Sequence, residues 1–128
     1  MPGLPPYAQL LQLRIDAESG GPRFVMPFHD DVVGRPGFLH GGAIAGLLEF
    51  AAFVTLRRAI DDDGVTMKPV TVTVDYMRGG IDRDTFAAAE VQRLGQRVAN
   101  VEAFAWQDER SRPIASARLN FLLERGGQ

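Results

Sequence analysis

Residues 43–54 read Ala-Ile-Ala-Gly-Leu-Leu-Glu-Phe-Ala-Ala-Phe-Val, and this stretch decides the fold. Alanine and leucine favour helix, so we predict one helix over residues 42–60. Because this helix is apolar on nearly every side, we expect it to be buried rather than to lie on a surface. Arg57 and Arg58 suit the negative end of the helix dipole. The following Asp61-Asp62-Asp63-Gly64 does not have the spacing of an EF-hand, and we interpret it as a solvated helix exit.

The C-terminal half of the chain alternates apolar and polar residues with a period of two, which is typical of half-buried strands. We predict four long strands, at residues 70–76, 87–92, 99–106 and 115–121. The turn signals between them are short, and short connections favour antiparallel neighbours. The N-terminal part is less regular. There we predict a short helix at residues 7–13, a strand within residues 11–18, a turn at 19–22, a returning strand at 23–29 and a loop at 30–39.

These two patterns together predict an α+β fold with one long central helix wrapped by a curved antiparallel sheet. A sheet face that is rich in alanine and valine can approach such a helix closely. The 128 residues form one domain by the usual length of domains, and they provide enough sheet for one side of the helix. Phe104 and Trp106 are large apolar residues on the opposite sheet face, and we expect a partner subunit there.

Composition excludes several classes of function. The net charge is −2, so the chain lacks the basic excess of a nucleic-acid-binding protein. Cysteine is absent and the histidines are His29 and His40 alone, which excludes thiolate and histidine-rich metal sites. We therefore predict no metal. The chain start shows no secretory signal, and the longest apolar run is far shorter than the ~20 residues of a membrane span. We expect a cytoplasmic protein without a membrane or nucleic-acid partner.

The strongest chemical feature is Gly-Phe-Leu-His-Gly-Gly-Ala at residues 37–43, followed by Glu49. Glu49 is the only charged residue between His40 and Arg57. A lone carboxylate in an apolar helix is costly unless it is hydrogen-bonded or protonated, and such an environment suits a general base or nucleophile. The alternative, which stays open, is a glutamate that simply reaches solvent or a neighbouring backbone.

The two glycines at positions 41 and 42 would lie at the helix N-terminus. Free N–H groups and the helix dipole favour developing negative charge there, so Gly41 and Gly42 are a candidate oxyanion hole. Glu49 lies eight residues beyond Gly41, or about 12 Å along a helix axis. The two groups cannot meet at one carbonyl within a single helix. A functional Glu49 therefore requires a dimer with shared sites.

The His40-Gly41-Gly42 motif, with an acid nine positions after the histidine, resembles the hotdog-fold acyl-CoA thioesterases of the PaaI type. The resemblance extends over residues 25–124 and includes Val-Thr-Val-Thr-Val-Asp-Tyr-Met-Arg at 70–78, the turn at 93–97 and the strand at 113–117. It implies a hotdog fold and a homodimer, often paired into a dimer of dimers. It also implies hydrolysis of the thioester of an acyl- or arylacetyl-coenzyme A. Coenzyme A is then part of the substrate, and no separate cofactor is expected.

Carried over by position, the resemblance makes Glu49 the nucleophile or the general base for water. The Gly41 N–H would polarise the thioester carbonyl, while His40 would shape the helix start. Gly42 would allow the substrate to approach the backbone closely. Glu49 is within the family pattern, which has Asp or Glu at this position.

Three further residues are candidates for substrate binding. Arg78 and Arg97 lie at strand ends, where related proteins contact the phosphates of coenzyme A, and arginine suits phosphate through its bidentate fork. The alternative is that both are ordinary solvated charges at turns. Phe53 lines either the core or an acyl pocket.

Two positions depart from the family pattern. Many members have Asn or Gln six residues before the histidine, where this chain has Gly34. Several carry Ser or Thr four residues after the acid, where this chain has Phe53. Loss of one oxyanion donor costs about a hundredfold or more in rate. The alternative function is therefore a non-catalytic acyl-CoA or small-ligand binding protein. An enoyl-CoA hydratase ranks last, because His29 and Asp30 are in the wrong order for that class.

Overall fold

The computed structural model describes residues 4–18 and 21–125. The elements are, in chain order, α1 (Pro6–Leu10), β1 (Arg14–Glu18), β2 (Gly21–Met26), a 3-10 turn (Asp30–Val32), β3 (Val33–Arg35), β4 (Phe38–Leu39), α2 (Gly41–Ala59), β5 (Val65–Tyr76), β6 (Thr85–Leu94), β7 (Val98–Trp106) and β8 (Ala115–Arg125). Six strands form one sheet in the order β1-β2-β6-β7-β8-β5, and β3 pairs with β4 separately. Every neighbouring pair is antiparallel.

The long helix α2 packs on one face of this sheet, which confirms the predicted α+β fold. Its contacts are mainly with the central strands β6, β7 and β8. The strand side chains in the core beneath it are mostly small. Buried alanines of these strands are Ala87, Ala99, Ala103, Ala105, Ala115 and Ala117. Because a methyl group holds two backbones apart less than any larger side chain, the alanines let α2 lie close to the sheet.

The opposite side of α2 is open in the single chain. Leu47, Leu48 and Ala51 are fully buried, whereas Glu49 is exposed and Phe53 remains 37% exposed. The expectation that the helix is buried all round is therefore wrong for the protomer. The physical reason is that one sheet covers only one side of a helix, as the length of the chain predicts. Among the described residues, neither helix has both the length and the apolar content of a membrane span.

Several element boundaries differ from the prediction. β5 begins at Val65, five residues earlier than predicted, and includes Pro69. Proline is tolerated because β5 is an edge strand and the register shifts between Pro69 and Thr71. The predicted loop at 30–39 contains the 3-10 turn and the β3–β4 hairpin, which are too short to show a periodicity. Of the turn predicted at 19–22, residues 19 and 20 lie outside the described residues.

The outer face of the sheet carries an aromatic cluster that the chain covers by itself. Phe86 stacks on Trp106 with ring centroids 6.1 Å apart. The Arg110 guanidinium lies 5.1 Å from the Trp106 ring centre and 5.2 Å from that of Phe104. Trp106 is only 6% exposed as a result. Trp106 therefore needs no partner subunit to cover it, because the Arg110 side chain lies above the rings. A partner subunit on this face stays a prediction.

Ala103→Leu should lower the free energy of unfolding by about 1–3 kcal/mol, because added methylenes in a close-packed core force strained side chains and backbone shifts. Ala103 is fully buried in the core. Urea denaturation followed by circular dichroism measures the change. Ala59→Leu, at an exposed position in the last turn of α2, is the control and should change stability by less than ~0.5 kcal/mol. Equal stability of Ala103→Leu and the parent would contradict close packing here.

Candidate functional site

His40 caps the N-terminus of α2. Its Nδ1 accepts a hydrogen bond of 2.9 Å from the Gly42 N–H, and its carbonyl accepts one of 3.0 Å from the Ala43 N–H. Since Nδ1 is the acceptor, the proton of the neutral ring is on Nε2. A side chain at position 42 would place Cβ 2.8 Å from Cε1 of the imidazole. Gly42 is thus required by the cap, and its N–H already donates to the His40 ring.

Gly41 is the first residue of α2 and leaves one N–H unpaired. Its carbonyl accepts a hydrogen bond of 2.8 Å from the Tyr76 hydroxyl. No acceptor for the Gly41 N–H is present among the described residues. This N–H lies at the positive end of a 19-residue helix, where negative charge is stabilised. Of the two glycines proposed for the oxyanion hole, Gly41 therefore offers the donor.

Gly34 packs against the backbone of His40. A Cβ at position 34 would lie 3.0 Å from the His40 Cα and 3.2 Å from its nitrogen. The hairpin backbone passes this close because the β3–β4 register shifts between Val33 and Arg35. An Asn or Gln side chain would require the hairpin to move. Gly34 thus lacks the donor side chain that many family members have at this position, and the His40 backbone leaves little room for one.

Glu49 lies two turns along α2 from Gly41, on the exposed side of the helix. Its side chain makes no hydrogen bond or ion pair with any other residue that the structure describes. In the single chain it reaches solvent, as one of the two interpretations of the sequence holds. The separation of about 12 Å along a straight helix keeps it from the Gly41 N–H of the same chain.

An apolar cavity of about 300 Å³ opens beside Glu49. It lies between α1 and α2 and reaches the sheet at Pro69 and Phe121. Phe53, one turn after Glu49, contributes to its wall, so Phe53 lines a cavity and not only the core. The carboxylate of Glu49 is the only charged group among the lining residues. The site thus combines a carboxylate with an apolar space next to it.

Arg78 and Arg97 lie at opposite ends of the sheet. Arg78 follows the end of β5, where Tyr76 pairs with Ala115, and its Nη1 donates to the Pro113 carbonyl at 2.6 Å. Arg97 precedes Val98, which pairs with Leu122 at the other end of β8. One chain therefore does not bring these two guanidinium groups to the same phosphate. Both are exposed, as is typical of solvated charges at turns.

Sequence reasoning missed two contacts at the site. Tyr76 is 53% exposed, and its hydroxyl donates to the Gly41 carbonyl. Tyr7 of α1 packs over Gly46 of α2. His29 has a structural role, because its Nε2 makes a hydrogen bond of 3.0 Å with the Leu11 carbonyl. Periodicity gives no signal for contacts between distant segments of the chain.

Comparison with known proteins identifies the family. The profile of the Thioesterase superfamily matches residues 36–114, and the chain belongs to that superfamily. A protein of known structure from Chromobacterium violaceum is 37% identical, with a TM-score of 0.77 over 93% of this chain and 83% of the other. The predicted hotdog fold and thioesterase family are thereby confirmed. A search of curated proteins finds no match.

Two more distant structures share the fold. A Bacillus halodurans protein crystallised with CoA is 22% identical, with a TM-score of 0.81 over 92% of this chain and 75% of the other. A phenylacetic acid degradation-related protein from Ralstonia eutropha is 21% identical, with a TM-score of 0.80 over 94% of this chain and 91% of the other. At these identities the likeness shows the fold.

Loss of the His40 cap should destabilise the helix start. His40→Ala should lower the free energy of unfolding by about 1 kcal/mol, because the Gly42 N–H loses its acceptor. His40→Asn is the matched control, since asparagine is a strong N-cap residue and should retain most of the stability. Urea denaturation of both variants at neutral pH measures the difference. An equal loss in the two variants would contradict the capping role.

Proposed function

We propose that this protein is an acyl-CoA thioesterase that works as a homodimer with shared sites. Glu49 is the general base or nucleophile, and the Gly41 N–H polarises the thioester carbonyl. The observation that carries the proposal is the unpaired N–H at the start of the same helix that presents Glu49 beside an apolar cavity. Membership of the Thioesterase superfamily makes a thioester the appropriate electrophile.

The exposed edge of β5 supports the dimer. β5 is the last strand of the sheet, and its Val70 and Val72 are 57% and 41% exposed. A long apolar edge strand is a template for pairing with another chain. Antiparallel pairing of two β5 strands about a twofold axis would run the two α2 helices in opposite directions. The Gly41 end of one helix would then approach the middle of its partner, where the second Glu49 lies.

In this dimer, hydrolysis proceeds through attack on the carbonyl carbon held at the Gly41 N–H. As a general base, Glu49 removes a proton from water while the water oxygen bonds to carbon. The N–H stabilises the resulting oxyanion. The intermediate then expels the coenzyme A thiolate, which takes the proton back from Glu49. As a nucleophile, Glu49 would instead attack the carbonyl carbon and expel the coenzyme A thiolate, which breaks the C–S bond and forms an acyl anhydride. Water would then hydrolyse the anhydride, which releases the acid, regenerates Glu49 and provides a proton for the thiolate. His40 is a positioning residue in both routes, because it orders the helix start.

The same dimer geometry gives both arginines a role in coenzyme A binding. An antiparallel partner would place the Arg78 end of one chain near the Arg97 end of the other. A coenzyme A lying across the interface would then meet one guanidinium from each chain, and Gly42 would keep the backbone accessible. The structure of the Bacillus halodurans protein with CoA supports this ligand. The Ralstonia eutropha protein supports a PaaI-type enzyme. The dimer of dimers and the cytoplasmic location stay predictions.

A non-catalytic acyl-CoA binding protein is the second candidate function. The steric exclusion of a side chain at Gly34 removes one donor that many relatives use on the carbonyl or on water. Phe53 stands where several relatives have a hydroxyl, and a phenyl ring cannot hold water. Tight binding of acyl-CoA without turnover over a broad panel would favour this function over hydrolysis.

Glu49→Gln should lower kcat for acyl-CoA hydrolysis by about a hundredfold or more, because the amide cannot accept the proton from water. The variant should fold normally, since the side chain is exposed. The rate of hydrolysis is measured from the release of coenzyme A, whose free thiol is detected. Glu124→Gln changes another exposed glutamate and is the matched control, with unchanged activity expected. Unchanged turnover in Glu49→Gln would refute its role.

Gly41→Pro tests the backbone donor and the sharing of sites. Proline is favoured at the first helical position, and His40 has φ −72° and ψ 133°, which suit a residue before proline. The variant should therefore fold while losing the N–H, and its activity should fall by about a hundred- to a thousandfold.

Co-refolding Gly41→Pro with Glu49→Gln should restore about a quarter of the parental activity, because half of the random dimers are mixed and each holds one intact site. Each variant refolded alone is the control. Analytical ultracentrifugation of the mixture confirms that dimers have formed. No recovery of activity in dimeric material would contradict shared sites. The role of Glu49 would then be judged from the activity of Glu49→Gln alone.

A further inference from the structure

We propose that the N-terminal helix α1 limits the length of the acyl group, with Tyr7 and Gly46 as the residues that set this limit. The inference rests on the proposed function and names the class of substrate. The structure points to uncharged, apolar acyl groups of medium size.

Helix α1 is fixed against the rest of the domain. Ala8 and Leu11 are 4% and 1% exposed. The helix ends in a Schellman motif, in which the Leu13 N–H donates to the Ala8 carbonyl and Gln12 takes a φ of 59°. His29 then bonds to the Leu11 carbonyl at 3.0 Å. Such a buried and capped segment is a fixed wall, although it lies near the chain terminus.

Gly46 allows this wall to approach α2. A Cβ at position 46 would lie 2.6 Å from Cε2 of Tyr7 and 3.0 Å from Cδ1 of Leu11. Any side chain at this position would therefore push the Tyr7 ring aside or enter the cavity. Tyr7 is 51% exposed, so its ring forms the outer part of the wall and has room to move. The Tyr7–Gly46 contact thus determines where the cavity ends on the α1 side.

The cavity selects both size and charge. Its volume is about 300 Å³. A cavity of about 150 Å³ in another protein accommodates benzene, so this one has room for roughly 8–12 carbon atoms. Apart from Glu49 its lining bears no charge. A second carboxylate on the acyl group would be repelled by Glu49 and poorly solvated by the apolar wall. Dicarboxylic acyl groups should therefore be poor substrates.

The test compares Gly46→Ala, Tyr7→Ala and the double variant on acetyl-, octanoyl-, dodecanoyl- and palmitoyl-CoA. Leu10→Ala is the matched control, because Leu10 is an exposed α1 residue that does not line the cavity. Two readouts are used: kcat/KM for hydrolysis, and the affinity for S-alkyl-CoA thioethers of the same lengths by calorimetry. The thioethers cannot be hydrolysed, so they test the cavity even if the protein has no turnover.

We expect the parent to prefer octanoyl and dodecanoyl groups over acetyl and palmitoyl groups. Gly46→Ala should lower the preference for dodecanoyl over acetyl by about tenfold, which is typical of one methylene in an apolar pocket. Tyr7→Ala should raise the preference for palmitoyl by a similar factor, and it should reverse the effect of Gly46→Ala in the double variant. Leu10→Ala should keep the parental profile.

Thioether affinities that do not depend on length, or profiles that are the same in the parent and Gly46→Ala, would overturn the inference. The same holds if Leu10→Ala shifts the profile as much as Tyr7→Ala does. If the thioether affinities follow the expected profile but no acyl-CoA is hydrolysed, the result would support the role of the cavity and refute the hydrolase activity. Failure of this inference can therefore be distinguished from failure of the proposed function.

Discussion

The contact of α2 with the alanine face of the sheet is the constraint on which the rest of the structure depends. Buried alanines such as Ala103 and Ala117 allow the helix to pack closely on β7 and β8, and this packing positions the helix on the sheet. The side of α2 that faces away from the sheet then has a fixed position too. Glu49 and Phe53 lie on that side, so the packing of the core places the candidate chemistry.

The start of α2 shows how one helix end serves two purposes. An α-helix leaves its first N–H groups without partners inside the helix. His40 takes one of them, from Gly42, and thereby orders the first turn. The Gly41 N–H stays available, while the Tyr76 hydroxyl holds the same residue through its carbonyl. A donor of this kind is held in place before any ligand arrives, which is the property that stabilisation of an oxyanion requires.

The regular elements of this fold could be predicted from the sequence, because α2 and β5–β8 are long enough to show a period. The start of β5 could not, since Pro69 opposes a strand everywhere except at an edge, and the edge is known only from the sheet order. The motif at His40 and the isolated Glu49 could likewise be found from residue types. The partners of Gly41 and Gly46 could not, because Tyr76 and Tyr7 are distant in sequence and follow no periodic rule.

The steric limit at Gly34 changes how the proposed chemistry must be achieved. A family member with an amide side chain there has a second donor for the carbonyl, whereas this chain has a hairpin backbone in contact with His40. Stabilisation of an oxyanion then depends mainly on a backbone N–H, which almost no substitution removes. In the proposed mechanism, the groups left to determine rate and selectivity are the acid at position 49 and the walls of the adjacent cavity. The proposed enzyme is therefore expected to be a slower hydrolase whose selectivity comes from an apolar wall. Binding of the acyl group can still orient the thioester when a donor is lost.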